Sequence, residues 1–327
     1  MKNLRNKVIL SGIVLLFAFI ATIGTTYAWF TVSQTSTVED ITLSVSAANN
    51  MLILPYDKDI NYVADGSGHS ETDGVGNYDL LSSDNYDTSL TQAEIEAAGY
   101  EVSTYGMLPA TVVTPGYGGF DGSTLASINL STRELTTLTE ATNFNSTSST
   151  TGYAVKLQFW LYVTSSNSTE VIELNDLSIT TVDGNTDLQD SVANAVRMSI
   201  WSENNTWDGS GAQVSGTPTQ SVIFGNDNDY DFDFSGTPNE ETNNTIQAVA
   251  TAASGSATLK TDLEAAVYTS TSIIKATDKD IFTITAGTPT LVSVLIYIEG
   301  WDVHAGNNIA LSDFVIAFGF KAGTADA

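Results

Sequence analysis

Apolar residues recur with a period of two over much of this chain, the spacing of strands with one face on a core. Residues 153–163 show it most clearly: Tyr153, Val155, Leu157, Phe159, Leu161 and Val163 share one face, and Lys156, Gln158, Trp160 and Tyr162 share the other. Residues 171–174 and 177–181 continue as strands across turns, and residues 196–201 and 221–224 read as further short strands. The C-terminal part is again β, with strands expected at 272–275, 281–285, 291–299 and 309–321. In 291–299, Leu291 and Leu295 alternate with Val292, Val294, Ile296 and Ile298. Both faces are apolar, which predicts a central strand beneath a second layer.

The front of the chain alternates too. Trp29, Phe30 and Val32 open the run, Ile41, Leu43 and Val45 share a face, and Asn49-Asn50 leads into residues 51–54. This predicts an N-terminal strand followed by a hairpin. Helical signals are few. Thr91 with Glu94 forms a capping-box pattern, so a short helix is expected over 91–98. Residues 187–195 are a further short helical candidate, and so are residues 245–254, with Ala and Gln in favour and Thr against. Residues 55–150 are dominated by Gly, Ser, Thr, Asp, Asn and Tyr, with tight-turn signals at 116–119 and Asp121-Gly122. They read as a long loop-rich insertion or small subdomain. Many short strands and scattered helices predict an all-β fold, a β-sandwich domain over 29–327.

Residues 1–28 have a different texture. Lys2, Arg5 and Lys7 precede an apolar run over 8–23, and Gly24-Thr25-Thr26-Tyr27-Ala28 gives a small-residue exit. This is the pattern of a secretory signal peptide cleaved between Ala28 and Trp29. A membrane span needs about 20 apolar residues, and this run is shorter. An uncleaved leader would be the one route to a membrane. The expected location is therefore secreted, extracellular or at the cell surface.

Composition narrows the chemistry. Of 327 residues, 42% are hydrophobic, enough for a packed core, and none is cysteine. That excludes disulfide staples, a lipid-modified cysteine and thiol catalysis. Without its leader the chain carries eight basic and 38 acidic residues, a formal charge of −30. Such a surface repels nucleic acid and anionic lipid. The two histidines, His69 and His304, stand far apart, with no His-Glu-x-x-His and no Gly-x-Ser-x-Gly. No catalytic set is expected. The acidic run at 226–234 holds Asp227, Asp229 and Asp231, but Phe232 and Pro238 occupy positions where an EF-hand needs Gly and Glu. It is open to two readings, an irregular calcium site or an acidic strand. No other cofactor is expected.

The stretch Gly24-Thr25-Thr26-Tyr27-Ala28-Trp29-Phe30-Thr31 resembles the signal-peptide exit of the TasA/camelysin group, secreted Gram-positive proteins matured by a SipW-type signal peptidase. Residues 291–301 and 309–321 are similar to the closing strands of such proteins, where an apolar strand ends in a Gly-Trp-Asp-type turn (Gly300, Trp301, Asp302). The insertion at 55–150 has no counterpart in that resemblance. The resemblance implies a jelly-roll fold and, as in fibre-forming members, self-assembly into a homopolymer by donor-strand complementation. The donor would be residues 29–38, with Trp29, Phe30 and Val32 and no Pro or Gly. Its backbone would extend a neighbour's sheet, and a head-to-tail contact that does not close propagates as a fibre. The other reading of those residues is an ordinary first strand of their own sandwich. Some relatives are labelled metallopeptidases, a label that does not transfer to a chain with two isolated histidines. The expected function is a non-enzymatic structural protein, a biofilm-matrix fibre subunit. The alternative is a cell-surface adhesin or carbohydrate-binding module, using the insertion or the aromatic faces of Trp160, Trp201, Trp207 and Trp301.

Overall fold

The computed structural model describes residues 36, 38–45, 51–70, 72, 77–100, 106–111, 113–114, 119–120, 124–129, 134–140, 151–165, 167–182, 192–207, 211–214, 216, 218–219, 222–225, 249–250, 257–258, 280–300 and 313–323. The chain divides into Met1–Gln34 and Thr35–Ala327. All described residues belong to the second unit.

Ten of its strands build two sheets. In chain order they are β1 (Val38–Val45), β2 (Met51–Pro55), β3 (Ser89–Leu90), β4 (Ala154–Val163), β5 (Thr169–Thr181), β6 (Val196–Ser202), β7 (Val222–Gly225), β8 (Asp280–Thr285), β9 (Thr290–Ile298) and β10 (Phe314–Gly323). Sheet I has the order β8-β5-β10-β1-β3, and sheet II the order β7-β6-β9-β4-β2. Successive strands alternate between the sheets at almost every step, and only β6 to β7 stays within one. The first and last strands, β1 and β10, lie side by side and run parallel from Val38↔Phe314 to Val45↔Phe320.

The alternation seen in the sequence explains the packing. Val155, Leu157, Phe159, Leu161 and Val163 of β4 and Val292, Val294, Ile296 and Ile298 of β9 share one core with Ile41 and Leu43 of β1 and Phe314, Ile316, Phe318 and Phe320 of β10. Phe159 of sheet II meets Phe320 of sheet I with ring centroids 5.6 Å apart. All nine residues of β9 are buried, as a central strand under two layers requires.

The second layer comes from the first part of the 55–150 segment. Trp160, on the outer face of β4, is completely buried beneath an aromatic cluster. Tyr56 and Tyr62 approach it at 6.2 and 5.6 Å, Trp207 at 5.9 Å, and Tyr86 stacks on Tyr162 at 5.5 Å. Burial pushes the Tyr62 and Tyr86 phenols well above the ordinary tyrosine range. The capping box holds as expected: Glu94 Oε2 accepts from Thr91 N at 2.7 Å and from Thr91 Oγ1 at 2.8 Å, opening helix α1 (Gln92–Ala97). Gly99, at φ +91°, ends it. A second helix, α2 (Val192–Ala195), is confined to four buried residues that feed β6.

Three sequence expectations need correction. β1 and β2 are strands, but they pair in opposite sheets and make no hairpin with each other. Their apolar faces both belong in the one core, which satisfies them from opposite sides. The break expected between 174 and 177 is a β-bulge inside one continuous β5, because the register against β10 shifts between Leu174 and Asp176. Within 245–254, where a helix was expected, Val249–Ala250 pairs antiparallel with Ala257–Thr258. The β-branched Thr245, Val249 and Thr251 outweigh Ala and Gln there. The expected strand at 272–275 lies outside the described residues.

Candidate functional site

The two sides of the sandwich differ. On one, residues 86–90 bind both sheets at once. Ile53 N of β2 donates to Asp87 O at 2.8 Å, and Val45 N of β1 donates to Thr88 O at 2.9 Å. On the other, β8 and β7 end their sheets, and among the described residues no further strand pairs with either. On β8, Thr283 and Thr285 are exposed while Ile284 is buried. Its register against β5 shifts at Ile281, so Ile281 and Phe282 both reach the core. A bulge in an edge strand is a common brake on uncontrolled edge pairing.

A cleft of about 440 Å³ opens where β8 turns into β9. One wall is Thr283, Ile284 and Thr285 with the turn residues 287–290; the other is Asn204, Asn205 and Trp207, with Ala64 and Leu81 from the aromatic layer. The turn is pinned by Gly287 N to Val163 O at 2.8 Å and Ala286 N to Ser168 O at 3.1 Å. Gly287 has φ +74°, a conformation that glycine adopts without strain.

The opposite wall is held more tightly. Thr219 N donates to Ser202 O at 2.9 Å, and Asn204 N donates to Ser202 Oγ at 3.0 Å. Asn204, at φ +48°, is the one non-glycine residue with positive φ among the described residues. Gly216 lies against it so closely that a Cβ there would come within 1.8 Å of the Asn204 carbonyl oxygen. Asn205 Nδ2 and Trp207 Nε1 are buried N–H donors without a hydrogen-bond partner. Among the described residues the lining has no charged side chain and is rich in threonine and asparagine.

A polar chain crosses the outer face of sheet II nearby. Gln158 Nε2 donates to Ser293 Oγ at 3.0 Å, Ser293 Oγ bonds Glu203 Oε1, and Trp201 Nε1 donates to the same carboxylate oxygen at 2.9 Å. Lys156 Nζ sits 5.5 Å from the centroid of the Trp201 ring, a cation–π contact. Ser293 is fully buried and its hydroxyl is engaged by Glu203. The chain ties β4, β9 and the end of β6 together, and nothing in it presents a nucleophile to a cleft.

The sequence-predicted site residues divide in two. Ala28, Trp29, Phe30, Val32, Asp227, Asp229, Asp231, Trp301 and His304 lie outside the described residues. Trp160 and Trp201 are buried, so neither offers an open face for a sugar, whereas Trp207 stands in the cleft wall. His69 is half-buried, and its carbonyl accepts from Asp79 N at 3.0 Å and Asn85 Nδ2 at 3.2 Å. Among the described residues no group of three His, Asp or Glu side chains is placed to hold a metal, and no helix is long and apolar enough to cross a membrane. Sequence reasoning missed Asn204, Asn205, Thr283 and Thr285. Their only signal is an Asn-Asn pair directly after one strand and threonines on the polar side of another.

No protein-family model, curated protein or solved structure matches the chain. Fold and site define it as a cysteine-free β-sandwich protein, joined along one side by residues 86–90 and, among the described residues, ending along the other in edge strands beside an uncharged cleft.

Proposed function

We propose that the chain is a secreted, non-enzymatic structural protein of jelly-roll-like fold, a subunit of an extracellular matrix fibre. A SipW-type signal peptidase would cut between Ala28 and Trp29, and Trp29, Phe30 and Val32 would anchor the freed strand on a second copy. The observation that carries this reading is the asymmetry of the sandwich. The β1 side is sealed by residues 86–90, and among the described residues the opposite side ends in β8 and β7. Among the described residues the ten strands begin at Val38. An added strand along β8 would take its main-chain hydrogen bonds from the β8 edge and its register from alternate side chains.

Electron microscopy of the secreted protein with and without residues 29–34 tests the reading. Fibres that vanish on deletion support it, and lone subunits in both samples contradict it. The deletion stops before Ser36, because Ser36 and Met107 exchange both backbone hydrogen bonds and their loss would disturb the sandwich. No cofactor takes part in assembly. Calcium at Asp227, Asp229 and Asp231 would act as a stabiliser, so added calcium would raise the melting temperature; an unchanged value removes that site from the proposal.

A further inference from the structure

We infer that the cleft beside Asn204, Asn205 and Trp207 binds a neutral saccharide. The cleft shares Thr283, Ile284 and Thr285 with the β8 edge of the assembly proposal, and the inference itself needs only that the chain meet glycans outside the cell. Three observations converge on this cleft. Asn204 stands at φ +48°, with its N–H donating to Ser202 Oγ at 3.0 Å and its carbonyl close against Gly216. Backbone held in a sparsely populated region clusters at ligand sites. Asn205 Nδ2 and Trp207 Nε1 are buried donors without a partner, and buried donors in native folds are nearly always satisfied. The volume, about 440 Å³, lies in the range of small-ligand sites.

The lining then selects the ligand. Among the described residues it has no Lys, Arg or His to hold an anion, and no carboxylate to hold a metal. An apolar ligand would leave both donors unspent. A hydroxyl-rich neutral ligand supplies oxygen acceptors for the two N–H groups and meets the hydroxyls of Thr283, Thr285 and Thr288. Both donors belong to half-buried residues that line the cleft, and the ligand reaches them as those side chains turn toward it. A peptide strand is the weaker fit, because it would draw on the main-chain edge of β8 and leave these side-chain donors aside.

A glycan array carrying neutral, sialylated and uronate-bearing saccharides, probed with the secreted protein, identifies the ligand, and calorimetric titration with the strongest neutral saccharide measures it. Trp207→Phe keeps the ring on Trp160 but removes the N–H, and Asn205→Ala removes the other donor. The expected result is saturable binding of a neutral saccharide, weakened about tenfold by either variant with an unchanged melting temperature. If Trp207→Phe fails to fold, Asn205→Ala decides alone. Three results would overturn the inference. No neutral saccharide binds; folded variants bind as tightly as the wild type; or a peptide of residues 29–38, and no saccharide, occupies the cleft.

Discussion

Ile53 and Asp87 exchange both of their backbone hydrogen bonds, Ile53 N to Asp87 O at 2.8 Å and Asp87 N to Ile53 O at 2.9 Å. Three residues on, Leu90 pairs with Leu43 of the other sheet. One short segment therefore belongs to sheet II at Asp87 and to sheet I at Leu90, and it seals the gap between them. The opposite side has no such seam among the described residues.

Asp87→Pro removes the N–H that Ile53 O accepts. The variant is expected to lose about 1–3 kcal/mol, the cost of leaving a buried carbonyl unpaired. Urea unfolding followed by tryptophan fluorescence measures it, and an unchanged midpoint would show that the seam contributes nothing.

Phe159 is 1% exposed and bridges the sheets through Phe320. Phe159→Ala should cost about 3–5 kcal/mol, the usual range for emptying a core aromatic site. Because nearly every connection crosses between sheets, most native contacts are distant in sequence. Stopped-flow refolding is accordingly expected on the millisecond-to-second scale.

Burial holds the phenols of Tyr62, Tyr86 and Tyr100 above their ordinary range. A raised folded-state value means that their contribution to stability is whole below the usual tyrosine range, about pH 10, and is lost as the pH climbs from there toward the raised values. Spectrophotometric alkaline titration should show exposed tyrosines ionising first, Tyr62 and Tyr86 only as the aromatic layer opens, and Tyr100 only as the core itself opens. Ionisation of all tyrosines in one step near pH 10 would refute the burial.

The Glu94 carboxyl is held below the usual glutamate range, first by the Thr91 backbone N–H and then by the Thr91 hydroxyl. With a depressed folded-state value, the cap is intact above the ordinary carboxylate range and fails as the pH falls through the lowered one. NMR titration of the Glu94 side chain should give a midpoint below about 4.3, the reference for a free glutamate. In Thr91→Ala, which removes the hydroxyl donor, the midpoint should move up.

Much of this architecture was legible because period-two patterning reports directly on burial. β4 and β9 were readable residue by residue, since their apolar positions all face one core or lie under two layers. The pairing was not readable. Ile41 and Leu43 of β1 and Met51 and Ile53 of β2 fill the same core, and nothing local says that they reach it from different sheets. The break misread in β5 has a related cause: Asn175-Asp176 carries turn chemistry that a bulge absorbs without ending the strand. The cleft was invisible for a third reason. It joins residues 204–207 to 283–290, and only the folded topology brings them together. Trp207 was one of four tryptophans considered for sugar binding, and only its position in the cleft wall separates it from the buried Trp160 and Trp201.

The absence of native cysteine makes the assembly claim directly testable by cross-linking. Val32→Cys is placed in the expected donor strand and Thr283→Cys on the exposed side of β8. Secreted single variants, mixed and oxidised, should form a disulfide-linked dimer, and the double variant should run as a ladder on a non-reducing gel. A double variant that stays a reduced monomer, or closes its disulfide within one chain, would contradict assembly through the N-terminal strand.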